Sequence, residues 1–105
     1  MRTITIQSLK ATTGMSSAVE MVPAGRDGLE RESYLRSFQA TLVGGGSATV
    51  VIQASLDEQG WVDLATIVLA AATPSDGFAA EVPWKYVRSN ITAIATGSVV
   101  VTMGL

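Results

Sequence analysis

Neither cysteine nor histidine occurs in these 105 residues. Without cysteine there is no disulfide framework, no thiolate nucleophile and no thiolate-ligated metal. Without histidine the commonest general base and the commonest metal ligand are gone, and a Ser-His-Asp triad is excluded. Charge is scarce as well: 15% of the residues are Asp, Glu, Lys or Arg, and the net charge is −2. Such a chain lacks the positive footprint that displaces counterions from nucleic acid, so no nucleic-acid partner is expected. The apolar run "IVLAAA", residues 67–72, falls far short of the roughly 18 residues of a membrane-spanning helix. The opening "MRTITIQSLK" has no apolar signal-peptide core, which predicts synthesis in the cytoplasm and no membrane partner.

What is present is a hydrophobic content of 48%, enough for one core in a single domain over residues 1–105. So much apolarity with so few charges predicts that part of the surface is covered by a partner. The dominant pattern is period-two alternation. "RTITIQSL" puts Ile4 and Ile6 on one face and Thr3, Thr5 and Gln7 on the other, as a strand with one wet side does. Residues 10–32 are rich in Ser, Thr, Gly and charge and predict a long loop or arm, with a short strand within residues 17–22. Tyr34, Phe38, Ala40 and Leu42 share one parity, with Arg36 among them. "GGGS", residues 44–47, then predicts a hairpin to "ATVVIQASL", and "DEQG", residues 57–60, a second hairpin to "WVDLATIVLA". In "DEQG" the Gly stands where positive φ is expected. "ATPSDG", residues 72–77, predicts a third turn, and "FAAEV", "WKYVRSNITAI" and "SVVVTMG" three more strands. The expectation is an all-β fold: a single antiparallel β-sandwich or jelly roll of seven to eight strands. Residues 1–33 would supply a strand plus the loop or arm, and residues 34–105 the main sandwich strands.

Few residues carry candidate chemistry. Asp57, Glu58 and Asp63 lie within seven positions around Trp61 and admit a calcium site or a glycosidase carboxylate pair. The spacing of a calcium-binding loop is absent, and Asp with Gly in a tight turn accounts for the same residues. Trp61, Trp84 and Tyr86 admit a stacking platform for sugar rings, with Arg88 or Asp63 bonding hydroxyls; core packing of the tryptophans is the plainer alternative. "GGGS" lacks the Gly-Lys-Ser/Thr of a phosphate loop, and Asn90-Ile91-Thr92 matches a glycosylation acceptor only inside a strand. No serine or threonine has a base beside it in sequence. The expectation is therefore no enzyme and no cofactor.

The segments "ATVVIQASLDEQGWVDLATIVL", "VPWKYVRSNITAI" and "GSVVVTMG" together resemble a recurring pattern in small tailed-bacteriophage virion proteins. In that pattern a strand leads to an acid- and Gly-containing turn, and a Trp opens the next strand. A W-x-Y-V-R-x-N-(I/V)-T segment then precedes a short valine-rich last strand. The resemblance covers residues 48–104, about half the chain. It implies a β-sandwich or jelly roll on a phage particle, foremost a capsid decoration (cement) protein, often trimeric, that binds the assembled shell and clamps neighbouring capsomers. The partners so implied are the major capsid protein and further copies of the chain, and the location is the outer surface of the virion. In the N-terminal segment Ile4, Met15, Met21, Val22 and Leu29 are the apolar candidates for that contact. The Trp-to-"YVR" pattern also resembles carbohydrate-binding and discoidin-like jelly rolls. A tail or fibre module using Trp61, Trp84, Tyr86 and Arg88 therefore stays open, as does a head–tail or tail subunit.

Overall fold

The computed structural model describes residues 3–20 and 35–104. They form nine strands: β1 (Thr3–Lys10), β2 (Gly14–Met15), β3 (Val19–Glu20), β4 (Leu35–Val43), β5 (Ser47–Ser55), β6 (Val62–Ala70), β7 (Ser75–Glu81), β8 (Tyr86–Ile94) and β9 (Ser98–Gly104). There is no helix among the described residues. One sheet runs β1-β9-β4-β7; the other runs β2-β8-β5-β6, with β3 also on β8. Met15 lies opposite Asn90 and Val19 opposite Val87, so β2 and β3 follow the same edge of β8 and act as one interrupted strand. With those two merged, nine strands become eight. First then pairs with last, second with seventh, third with sixth and fourth with fifth. This is a ribbon of nested antiparallel pairs folded over into two sheets, the jelly-roll form of the sandwich.

The inner faces follow the alternation. Phe38, Ala40 and Leu42 from β4 meet Val50 and Ile52 from β5, Val87 and Ile91 from β8, and Val99, Val101 and Met103 from β9 in one cluster. Phe38 stacks on its cross-strand partner Phe78, ring centroids 5.0 Å apart. Arg36 shares the inward parity and is 1% exposed, with Nη1 donating to the Leu35 carbonyl.

Several expectations need correction. The "GGGS" connection is not a hairpin: β4 and β5 belong to different sheets. Gly44, Gly45 and Gly46 have φ of 96°, 80° and 93°. Three successive left-handed residues turn the chain over the end of the sandwich instead of back alongside itself. This corner nests against a second one at residues 95–97, where a Cβ on Gly97 would lie 2.6 Å from the carbonyls of Val43 and Gly45. In "ATPSDG" only the first part turns. Ser75, Asp76 and Gly77 already pair with Thr41, Ala40 and Gln39, and Gly77 is needed because a Cβ there would strike the Phe38 carbonyl. The strand expected from Trp84 starts at Tyr86. Residues 10–20, expected as loop, hold β2 as well as β3.

Gln7 also departs from its expected face. The register shifts between Thr5 and Gln7, leaving Ile6 as an extra residue, and such a bulge turns two consecutive side chains the same way. Gln7 therefore faces the other sheet, where its Oε1 accepts from Ser89 Oγ at 2.9 Å. Ser89 is fully buried. Its backbone exchanges bonds with Ser16, whose N–H donates to the Ser89 carbonyl (2.8 Å) and whose Oγ accepts from the Ser89 N–H (3.0 Å).

Leaving one partner of a buried hydrogen bond unmatched costs about 1–3 kcal/mol, whereas replacing both by apolar groups costs less. Ser89→Ala is therefore expected to lower unfolding stability by about 1–3 kcal/mol in urea titrations. The Gln7→Leu/Ser89→Ala pair should recover part of that loss.

Candidate functional site

The chemistry-bearing residues gather at one end of the second sheet's outer face, and a bulge puts them there. Ile52 pairs with Ala65, but Gln53 pairs with Asp63, so Leu64 is extra. An unbroken register would set Leu64 opposite Gln53 on the wet face and turn Asp63 towards the core. With the bulge, Leu64 packs against the core, while Asp63 and Trp61 face outward. Gln53 also pairs with Arg88 on its other side, which lines up Asp63, Gln53 and Arg88 in one rung across three strands.

That rung is a chain of hydrogen bonds. Arg88 Nε donates to Gln53 Oε1 at 2.8 Å, and Gln53 Nε2 donates to Asp63 Oδ1 at 2.8 Å. The Trp61 ring reaches from the start of β6 over β5 and lies 4.0 Å from Arg88 Cζ. The Arg88 guanidinium is thus held at one edge by Gln53 and on one face by the indole, a stacked cation–π contact. Tyr86 stands next to Arg88 on the same face of β8, with Lys85 Nζ 5.5 Å from its ring centroid. Trp84 instead packs against the hydrophobic core. The three aromatics expected as a sugar platform are therefore divided: Trp84 serves the core and Trp61 has a face covered by Arg88. Nothing in the sequence singles out Gln53 beyond its outward parity on β5.

The acidic turn is a separate, self-contained unit. Ser55 Oγ accepts from the N–H groups of Asp57 (3.2 Å) and Glu58 (2.9 Å) and donates to Asp57 Oδ1 (3.0 Å). The same Oδ1 accepts from the N–H groups of Gln59 (2.9 Å) and Gly60 (3.1 Å). These bonds fix a backbone in which the positive φ, 61°, falls on Glu58 and not on Gly60. Asp57 is thus engaged by its own turn and Asp63 by Gln53. No group of three or more acidic side chains placed to hold a metal ion occurs among the described residues.

Of the residues expected to contact a partner, Ile4 packs against the core and Met15 is exposed on the edge of the second sheet. Met21, Val22 and Leu29 lie outside the described residues. Asn90 sits within β8 between Met15 and Val51, not in a loop.

The fold places the chain among jelly-roll β-sandwiches. No protein-family model and no curated protein matches it. Among solved structures it is similar to a chain from work described as "Bacillus endospore appendages form a novel family of disulfide-linked pili". That similarity has 16% identity and a TM-score of 0.45, over 96% of this chain and 84% of that one.

The backbone N–H groups of Gln59 and Gly60, foremost among the causes, hold the Asp57 carboxyl below its ordinary value of 3.8. A carboxylate favoured in the folded state stabilises above its unfolded value, and that contribution disappears as pH falls through the lower folded value. Urea midpoints of the wild-type chain should therefore decline below about pH 4, and Asp57→Asn should flatten that part of the profile.

Proposed function

We propose that the protein is a non-catalytic docking component of a phage virion, a decoration protein of the capsid shell. One observation carries this reading: the outer face of the first sheet is free of charge across its central rungs. Thr5, Thr102, Gln39 and Gly77 form one such rung over all four strands, with Thr3, Gly104, Ser37 and Ala79 on one side of it. Val100, Thr41 and Ser75 form the rung on the other side. Depletion of charge is what distinguishes the centre of a protein–protein interface from ordinary surface. Covering a sheet face without charge avoids the large desolvation cost of burying ions, and its hydroxyls and amide can bond a partner's polar groups. The virion assignment itself comes from the sequence resemblance over residues 48–104.

The mechanism is linkage. A protein that binds the assembled shell but not its loose subunits stabilises assembly by mass action, and a trimer at a symmetry axis multiplies its effective affinity. The partners are the major capsid protein and further copies of the chain, and the site of action is the outer capsid surface. The reading needs no enzymatic activity, cofactor or metal.

Imaging of purified particles tests it, with density for this protein expected on the outer shell; its absence from particles overturns the reading. A Thr5→Lys/Gln39→Lys chain places two charges in the middle rung, on β1 and β4 with β9 between them, so that they are not directly opposite each other. It should unfold within about 0.5 kcal/mol of the wild type, as surface substitutions do, yet fail to rebind particles stripped of the native protein.

A further inference from the structure

We propose that Arg88 anchors a second docking site, on the opposite face of the sandwich, for the carboxylate of an exposed Asp or Glu side chain on a partner protein. A guanidinium carries five N–H donors in a rigid planar fork that matches a carboxylate in bidentate fashion. Here the Nε–H is committed to Gln53, and the ring of Trp61 covers one face of the plane. Gln53 is itself oriented by Asp63, which fixes its oxygen towards Arg88. Among the described residues the two terminal nitrogens, Nη1 and Nη2, donate to no protein acceptor. The side chain is thus ordered in advance while the two-pronged end that recognises carboxylates stays open. Ordering in the free protein removes the entropy cost that a flexible arginine meets on binding.

The carboxylates nearby do not supply the missing partner. Glu20 stands opposite Tyr86 on the adjacent β3, diagonal to Arg88, yet no hydrogen bond or ion pair joins the two. Asp63 lies two strands away on β6, about 10 Å at the usual strand spacing, and its Oδ1 serves Gln53. The surroundings decide the source of the ligand. Trp61, Tyr86 and Met15 share this face with Arg88, and Arg, Trp, Tyr and Met are the residue types enriched where proteins meet. Small-molecule sites are concave, whereas this is the open face of a sheet, and sugar stacking would need the indole face that Arg88 covers. Observation thus favours a protein side chain over an acidic saccharide. The inference stands on the isolated chain and does not depend on the virion reading.

The test is a titration of the full-length, ¹⁵N-labelled chain followed by NMR at the Arg88 Nε–H, the Trp61 indole N–H and the Gln53 amide. The probes are glutamate blocked at both its α-groups, glucuronate, and sodium chloride at matched ionic strength. Blocked glutamate is expected to give saturable shifts at these three groups beyond those of chloride. Arg88→Lys keeps the charge and loses the fork, and should weaken binding on the order of tenfold with the rest of the spectrum unchanged. Gln53→Leu, which frees the Nε edge and leaves Arg88 in place, should weaken it less, and it serves as the test should Arg88→Lys unfold. Shifts no larger than with chloride overturn the proposal, as does undiminished binding in both variants. Glucuronate binding distinctly tighter than blocked glutamate assigns the site to an acidic saccharide and overturns it equally.

Discussion

Two sheets share one dry interior only if every strand keeps its apolar side chains turned inward, and this parity governs the rest of the molecule. A one-residue slip anywhere exchanges the wet and dry faces of a strand. The chain meets the constraint with plain alternation in β4 and with local insertions elsewhere. In β1 the extra residue at Ile6 brings Gln7 inside, where Ser89 is ready to bond it. In β6 the extra residue at Leu64 keeps an aspartate out of the core. The outward cluster of Trp61, Gln53, Asp63 and Arg88 is a by-product of that correction: the same shift that buries Leu64 exposes its neighbours.

Much of this was legible in one dimension. The inward sets Phe38-Ala40-Leu42 and Val50-Ile52-Ala54 follow from alternation, and the all-β sandwich follows from their number and spacing. The turn at residues 57–60 was legible because Asp bonds its own backbone there. The bulges were not, because an extra residue changes no composition and shows only against the partner strand. The corner at residues 44–46 is ambiguous in sequence for a related reason. Three glycines permit both a hairpin and an arch, and only the location of β9 and β7 beside β4 decides between them. The Ser89–Gln7 bond joins residues 82 positions apart, beyond any local signal. Arg88 and Trp61 were legible only as members of a sugar-binding platform with Trp84 and Tyr86; their stacking on each other and the relay through Gln53 depend on register.

The two outer faces differ in kind. One is, across its central rungs, a level field of hydroxyls, amide and methyl groups without charge. The other bears a guanidinium braced by an indole and an amide, near a solvent-facing acid. A sandwich so built presents two chemically distinct surfaces on opposite sides of one thin core. Fold alone does not assign a task, since jelly rolls serve many; the weight rests on what each face offers.

The nesting of the strands also sets how far apart along the chain each pair of partners lies. β1 has β9 as its sheet partner, and β9 lies between β1 and β4. β1 must therefore wait, without its sheet partner, until β9 has left the ribosome. β5 and β6, joined by a turn that holds itself together, are neighbours along the chain, and the other nested pairs join strands of ever greater separation. Proteins dominated by such distant contacts fold slowly for their size. During that interval β1 offers a bare strand edge to whatever lies near it.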